Sequence, residues 1–422
     1  MRLKTILNRM EKYSSFVFKN SRYCNHYDQW KFNEDVIIVD VEPRANSKPI
    51  CSGCGRPGPC YDHLELRLFE YLPLFIFQVF FAYTMRRVDC PACGVTVEMV
   101  PWADGKEQIT KTYKWFLAQW AKRLSWKEVA DIFHTSWDTV CRSVEYAVAW
   151  GLKNRNIDNV KAIGIDELSR KKGHVYATLV YQIDEGCKRL LWIGKGRKKE
   201  TLKSFFGWFG EKRSSALEAI CSDMWKAYID TIKEYASQAV HVLDRFHIMN
   251  HIGKAIDEIR ADESRRLKQN GYEPILRKTR WLLLKRPENL TESQDIKLSE
   301  LLKYNLRSVR AYILKEQFQQ LWEYRSPAWA SKFIDKWTRK VMYSKLEPMK
   351  DFAKMIRNHK ELILNWFQVK TNISQGIVEG FNGKAKVTIR KSYGFKSFDT
   401  METALYHTLG DLPMPEYVHR FC

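Results

Sequence analysis

Apolar residues recur along this chain with two different periods, and the period changes several times. Positions 35–41 (DVIIVDV) read as one strand, positions 64–70 alternate apolar and charged side chains, and 75–88 continue in the same way. Period-two alternation predicts half-buried strands. Between 110 and 151 the spacing turns helical. Positions 113–123 are amphipathic, and Ser125-x-x-Glu128 forms a capping box that opens WKEVADIF. His134, Thr135 and Ser136 make a turn before a second helical stretch over 137–150. Short apolar runs then return: AIGIDE, HVYATLVYQID, a turn at Asp184–Gly186, RLLWIG, a helical segment from about 199, and AICSD. The order is β-β-β-α-β. From about 247 to 368 the pattern is helical, with Leu298, Leu301, Leu302, Leu306 and Val309 in register and a second capping box at Thr291-x-x-Gln294. Trp281, Trp322, Trp329, Trp337 and Trp366 recur through this block, where core packing is their expected role.

Charge narrows the class of partner. The 422 residues carry a formal net charge of +21, with basic residues spread along the whole chain. That excess predicts a folded basic surface for a polyanion, nucleic acid being the commonest. No membrane segment is expected. The most apolar stretch, 71–85, is too short and is interrupted by Pro73 and Gln78. The first residues are mixed and charged, unlike a signal peptide, so a cytoplasmic location is expected. In that reducing setting the ten cysteines read as metal ligands and buried thiols. Cys51 with Cys54, and Cys90 with Cys93, form two C-x₂-C pairs, each followed by glycine. Two such pairs can complete a closed tetrahedral Cys₄ site for one structural Zn²⁺. Cys60 and His63 are alternative ligands, but the symmetry of the two pairs argues against them.

Three carboxylates stand out. Asp166 and Asp223 each end a short apolar run, and Glu379 lies in QGIVEGFN, a stretch with helical spacing. A single Asp after an apolar run is ordinarily a turn or a cap. Two strand-end carboxylates with a third from a helix are what a two-metal phosphoryl-transfer site needs, because Mg²⁺ or Mn²⁺ takes oxygen ligands and keeps positions open. On a strand Glu167 faces away from Asp166 and is left a packing or hydrogen-bonding role. Asn382 and Lys386 follow Glu379 by three and seven positions and share its face, and Arg390 extends the stripe. Asn382, Lys384, Lys386 and Arg390 are therefore candidate DNA contacts. Asn372 and Ser374 are candidate caps of that helix. Asp244 and His247, spaced i, i+3, are read as support for the site. In the helix-turn-helix pattern, Asp138, Thr139 and Arg142 stand at the start of the second helix, where base-reading side chains sit.

GIDE with KGHVYAT, SDMWKAY, DRFH, SQGIVEGFNGKAK followed by YGF, the cysteine pairs and the LPMPEYVHRF ending resemble the ISL3 family of bacterial insertion-sequence transposases over nearly the whole chain. The resemblance implies a DDE triad, which falls on Asp166, Asp223 and Glu379. It also implies two Mg²⁺ or Mn²⁺ ions per site, double-stranded DNA (terminal inverted repeats and target) as partner, and a homodimer or higher assembly on DNA at the nucleoid. The expected architecture is multidomain α/β. An N-terminal segment (1–45) precedes a zinc ribbon (46–105) and a helix-turn-helix (106–155). A ribonuclease-H-like catalytic domain (156–410) follows, with an all-helical insertion over about 248–370, then a tail (411–422). A catalytically silent DNA-binding regulator is the rival reading, and a nuclease without strand joining is a third.

Overall fold

The computed structural model describes residues 3–24, 35–171, 175–272, 275–368, 376–392 and 394–416. The caps expected at Asn372 and Ser374 lie outside the described residues. The chain divides into two compact units: Met1–Arg155 with Thr388–Thr408 and Leu412–Cys422, and Asn156–Val387 with Leu409–Asp411.

The first unit opens with helix α1 (Leu3–Met10) and strands β1 (Phe16–Cys24), β2 (Val36–Pro43), β3 (Cys60–Leu74), β4 (Phe77–Cys90) and β5 (Gly94–Val97). They form one mixed sheet in the order β1-β2-β4-β3, with β5 also on β4. Alternation of apolar residues buries Phe69, Val79, Phe81 and Tyr83 around Trp102, whose ring meets those of Phe16, Phe69 and Tyr83. Glu98 is buried with Arg86, 2.8 Å away, and also accepts from Tyr83 at 2.6 Å. A buried carboxylate is tolerated there because every oxygen finds a donor. Helices α2 (Lys111–Ala121), α3 (Trp126–Ile132) and α4 (Trp137–Asn154) follow. The Ser125–Glu128 box is formed in both directions, at 3.2 and 2.7 Å, and Ser136 caps α4. His134 turns the chain between α3 and α4 with φ of 51°.

The second unit is built on β6 (Ala162–Lys171), β7 (Val175–Asp184), β8 (Cys187–Lys195), β9 (Ala219–Ser222) and β10 (Val240–Leu243). The sheet order is β10-β9-β6-β7-β8. The three strands β6, β7 and β8 run antiparallel, while β9 is parallel to both β6 and β10. Helices α5 (Lys199–Phe209), α6 (Glu211–Ser215) and α7 (Lys226–Tyr235) supply the crossovers. Leu202, Phe205 and Phe209 from α5, with Tyr228 and Ile232 from α7, cover Ile163, Ile165, Val180 and Ile220 of the sheet.

After β10 come α8 (Arg245–Gln269), α9 (Arg280–Leu284), α10 (Glu292–Leu301), α11 (Arg307–Gln319), α12 (Pro327–Met342), α13 (Glu347–Asn358) and α14 (Lys360–Leu364), packed on an apolar core of their own. Buried polar groups tie helix ends inside it. Glu263 accepts from the Arg307 and Ser308 amides at the start of α11, and Lys315 donates to the carbonyls of Leu283, Leu284 and Lys285 at the end of α9. Trp322 and Trp337 fill this core, as spacing predicts, but Trp281 and Trp329 are exposed. A tryptophan on the outer face of an amphipathic helix keeps the same spacing as one on the inner face. Helices α15 (Gly376–Lys391) and α16 (Phe398–Leu409) close the chain. Among the described residues, no helix is long and apolar enough to cross a membrane.

Candidate active site

Strand register brings the aspartates together. Gly164 of β6 lies opposite Cys221 of β9, so Asp166 and Asp223 each stand two positions further along neighbouring parallel strands. Ser222 lies opposite Leu243 of β10, and the Asp244 amide donates to the Ser222 carbonyl at 2.9 Å. Asp166, Asp223 and Asp244 therefore form one row where the parallel ladder stops: Asp223 and Asp244 directly follow β9 and β10, but β6 runs on to Lys171 along β7, so Asp166 stands mid-strand and not at the strand end that its apolar run predicts. Carboxyl ends of parallel strands are where open α/β sheets place their ligands.

His247, in the first turn of α8, sits over this row. Its Nδ1 is 3.3 Å from Asp223 and its Nε2 is 3.7 Å from Asp166. Burial opposes the imidazolium, but the contact with Asp166 and the charges of Asp223, Asp166 and Asp244 outweigh it, and the pKa rises to about 9. Asp244 is buried, which pushes its carboxyl up to about 6, and its side chain caps α8 by accepting the Phe246 amide at 2.8 Å. Glu167, on the other face of β6, is raised mainly by burial and is countered by Arg197, 3.4 Å away. Arg197 also lies over the rings of Tyr176 and Trp225, at 4.1 and 5.1 Å.

Helix α15 packs against β6 at Gly164. A Cβ on Gly164 would come within 2.5 Å of Val378 Cγ2, so only glycine admits the helix this close. One turn on, the Asn382 amide donates to Asp166 Oδ2 and its carbonyl accepts from Tyr181 Oη at 2.8 Å. Phe381 stacks on Tyr181 with ring centroids 4.9 Å apart. Asn382 is buried. Its expected place on an exposed DNA-facing stripe is therefore corrected: three residues after Glu379, the helix face points to Asp166 and not to solvent. Glu379, one turn earlier on the same helix, is exposed to solvent. Lys384, Lys386 and Arg390 are exposed along the helix, Lys384 lying 5.7 Å from the Phe381 ring. In α4, Arg142 is exposed and Thr139 half-buried. Gly164 is the glycine of GIDE, but neither it nor Tyr181 and Arg197 carried a sequence signal for these contacts.

Asp166 and Asp223, both in contact with one imidazole, set two carboxylates close together. Their oxygen donors suit hard divalent ions such as Mg²⁺. Asp166 and Asp223 could ligate such an ion, but among the described residues Glu379 is not gathered with them into a cluster of three metal-ligating side chains.

A separate centre lies in the first unit. The sulfurs of Cys51, Cys54, Cys90 and Cys93 all lie within 4.8 Å of one another, with Cys54 and Cys90 3.6 Å apart. Four thiolates about 2.3 Å from one tetrahedral ion sit roughly 3.8 Å from each other, so the cluster is compatible with structural Zn²⁺. Gly55 and Gly94, each directly after a pair, have φ of 72° and 71°, the left-handed turn that lets both cysteines face inward. Cys60 and His63 are not part of the cluster.

The family model for ISL3-type DDE transposases, described as a transposase, matches residues 163–405. The chain is similar to the transposase for insertion sequence element IS1001 of Bordetella parapertussis, with 29% identity over 364 residues, covering 86% of this chain and 88% of that protein. It is also similar to the transposase for IS1557 of Mycobacterium tuberculosis, with 29% identity over 387 residues and 86% of each chain covered.

Proposed function

The chain belongs to the ISL3 family of transposases, and on that premise we propose that it binds the terminal inverted repeats of its insertion sequence, cuts DNA there and joins the freed ends to a target. The observation that carries this reading is the pair Asp166 and Asp223 in register on neighbouring parallel strands, with α15, the helix that bears Glu379, packed on the first of them through Val378. We read the second sheet as a ribonuclease-H-like core, α8 to α14 as its helical insertion, the cysteine cluster as a zinc ribbon and α2 to α4 as a DNA-reading helix-turn-helix. Two repeat ends must meet, so the working form is a dimer or larger.

Asp166, Asp223 and Glu379 would hold two Mg²⁺ or Mn²⁺ ions. Bound there, such ions activate an attacking oxygen and stabilise the leaving one in an in-line displacement. The chain's own groups do the positioning. Asn382, itself held by Tyr181, fixes one oxygen of Asp166 and so orients the other. Asp244 anchors the start of α8 and thereby the imidazole of His247 between the two aspartates. Lys384, Lys386 and Arg390 offer charge to a phosphate backbone passing along α15, and Arg142 and Thr139 offer side chains to a groove. Water attacks the phosphodiester at the element end and the 3′-oxygen leaves as a hydroxyl. That hydroxyl then attacks target DNA, so no protein nucleophile is required.

The test uses a plasmid bearing the repeats that flank the gene, with Mg²⁺, and compares the protein with Asp223→Asn. Metal-dependent cuts at the repeat ends, lost in the variant, support the reading. Tight binding with no cleavage by either protein, in Mn²⁺ as well, would instead make it a DNA-binding regulator.

A further inference from the structure

A cavity of about 800 Å³ lies in the first unit between the start of α3, the start of α4 and the loop joining α15 to α16. Its aromatic wall is Trp126, Trp137 and Phe395. Trp126 and Phe395 are buried, with their rings 6.1 Å apart, whereas Trp137 is 43% exposed. Around this wall stand Lys127, Arg390, Lys391 and Lys396, against a single carboxylate, Glu128. That carboxylate is engaged: it accepts the Ser125 amide at 2.7 Å and, held chiefly by Ser125, stays below the usual carboxylate range. Lys127 pairs with Asp131 outside the cavity, and Lys391 donates to the Arg123 carbonyl. Arg390 and Lys396 are exposed.

Volume, aromatic surface and charge together define a ligand. The cavity falls in the roughly 300–1,000 Å³ range of small-molecule sites. Cations alone would serve a duplex backbone, because paired bases keep their faces stacked on one another. An exposed indole face adds nothing to such a contact, but it stacks on any base that has left the helix. We propose that this cavity binds an unpaired nucleotide of a DNA strand, its base on Trp137 and its phosphates on Arg390 and Lys396. Offset rings sit about 4.5–7 Å apart, and Trp126 and Trp137 are already 5.6 Å from each other. No base fits between them, so stacking takes place on the open face of Trp137, with Trp126 and Phe395 as its backing. The inference rests on the DNA-processing reading above and adds a substrate form to it: ends with unpaired bases.

The experiment uses full-length protein carrying Asp223→Asn, so that no cutting intervenes, and terminal-repeat duplexes that are either blunt or carry a short single-stranded tail with 2-aminopurine. Tighter binding of the tailed duplex, with the 2-aminopurine emission quenched, is expected. Base–aromatic stacking contributes about 1–3 kcal/mol per base, so Trp137→Leu should lower the tailed-to-blunt preference by about 5- to 150-fold. Trp137→Phe, which retains a ring, should keep most of it. Thermal melting of each variant separates loss of stacking from loss of fold. A preference that is absent, or equal in wild type, Phe and Leu variants, overturns the cavity proposal while leaving the transposase reading intact. Failure to bind either duplex overturns both.

Discussion

Replacing Gly164 with alanine places a methyl group 2.5 Å from Val378 Cγ2. Contacts with a Cβ are rarely tighter than 3.4 Å, so α15 or the strand must give by about 1 Å. Overpacking of this size costs about 1–3 kcal/mol. The larger effect is expected on chemistry, because α15 carries both Asn382, bonded to Asp166, and Glu379. A misplacement of about 1 Å can lower a rate by about 10²-fold. Urea denaturation reads the first quantity, and cleavage of repeat-end DNA reads the second. Val378→Ala removes the colliding methyl, so the double variant Gly164→Ala/Val378→Ala should regain most of the activity lost by Gly164→Ala alone. Coupling of this kind distinguishes a specific clash from general damage. Wild-type activity in Gly164→Ala, or no recovery in the double variant, would refute the close packing of α15 on β6 as the device that sets the site.

Asn382→Leu should lower cleavage by about 10²-fold while leaving repeat binding within about twofold, since only the orientation of Asp166 is lost; an equal fall in both would return Asn382 to the DNA-contact stripe. Treating the protein with a strong zinc chelator should lower its melting temperature and release one zinc per chain by colorimetric titration, and Cys54→Ser should already show the lower temperature untreated. His407 is buried, and burial drags its pKa down to about 3, against about 6.5 unfolded. The folded state then binds fewer protons than the unfolded chain between those values, so stability falls as pH drops below about 6.5, by up to about 1.4 kcal/mol per unit from this group. Urea midpoints measured from pH 7 to 4.5 should fall less steeply in His407→Gln; an unchanged slope would show that the imidazole is not held neutral.

Short-range features are legible in the sequence. For Asp223 the apolar run and strand β9 both stop just before the carboxylate, as read from the sequence, whereas β6 continues past Asp166 to Lys171 because β7 pairs with it there. The cysteine pairs were visible because metal spacing is local, and Ser125 with Glu128 because a capping box spans only four residues. What depends on three or four neighbouring positions is written in the chain itself.

Pairings across long intervals are not. Nothing in SDMW or DRFH says that Asp223 and Asp244 stand in register with Asp166; the parallel ladder between β6, β9 and β10 decides that, since a shift of one residue would turn each side chain to the other face. Helical spacing put Asn382 on the Glu379 face but could not tell that this face meets Asp166 and Tyr181, because periodicity defines a stripe without saying what covers it. The same ambiguity left Trp281 and Trp329 outside the core that their spacing allowed. Gly164 is an ordinary strand glycine until Val378, more than two hundred residues later, comes to rest on it. The sequence by itself determined which residues cap helices and carry charge. Only the tertiary structure decided which of them meet, because contact between distant segments depends on the packing of everything between them.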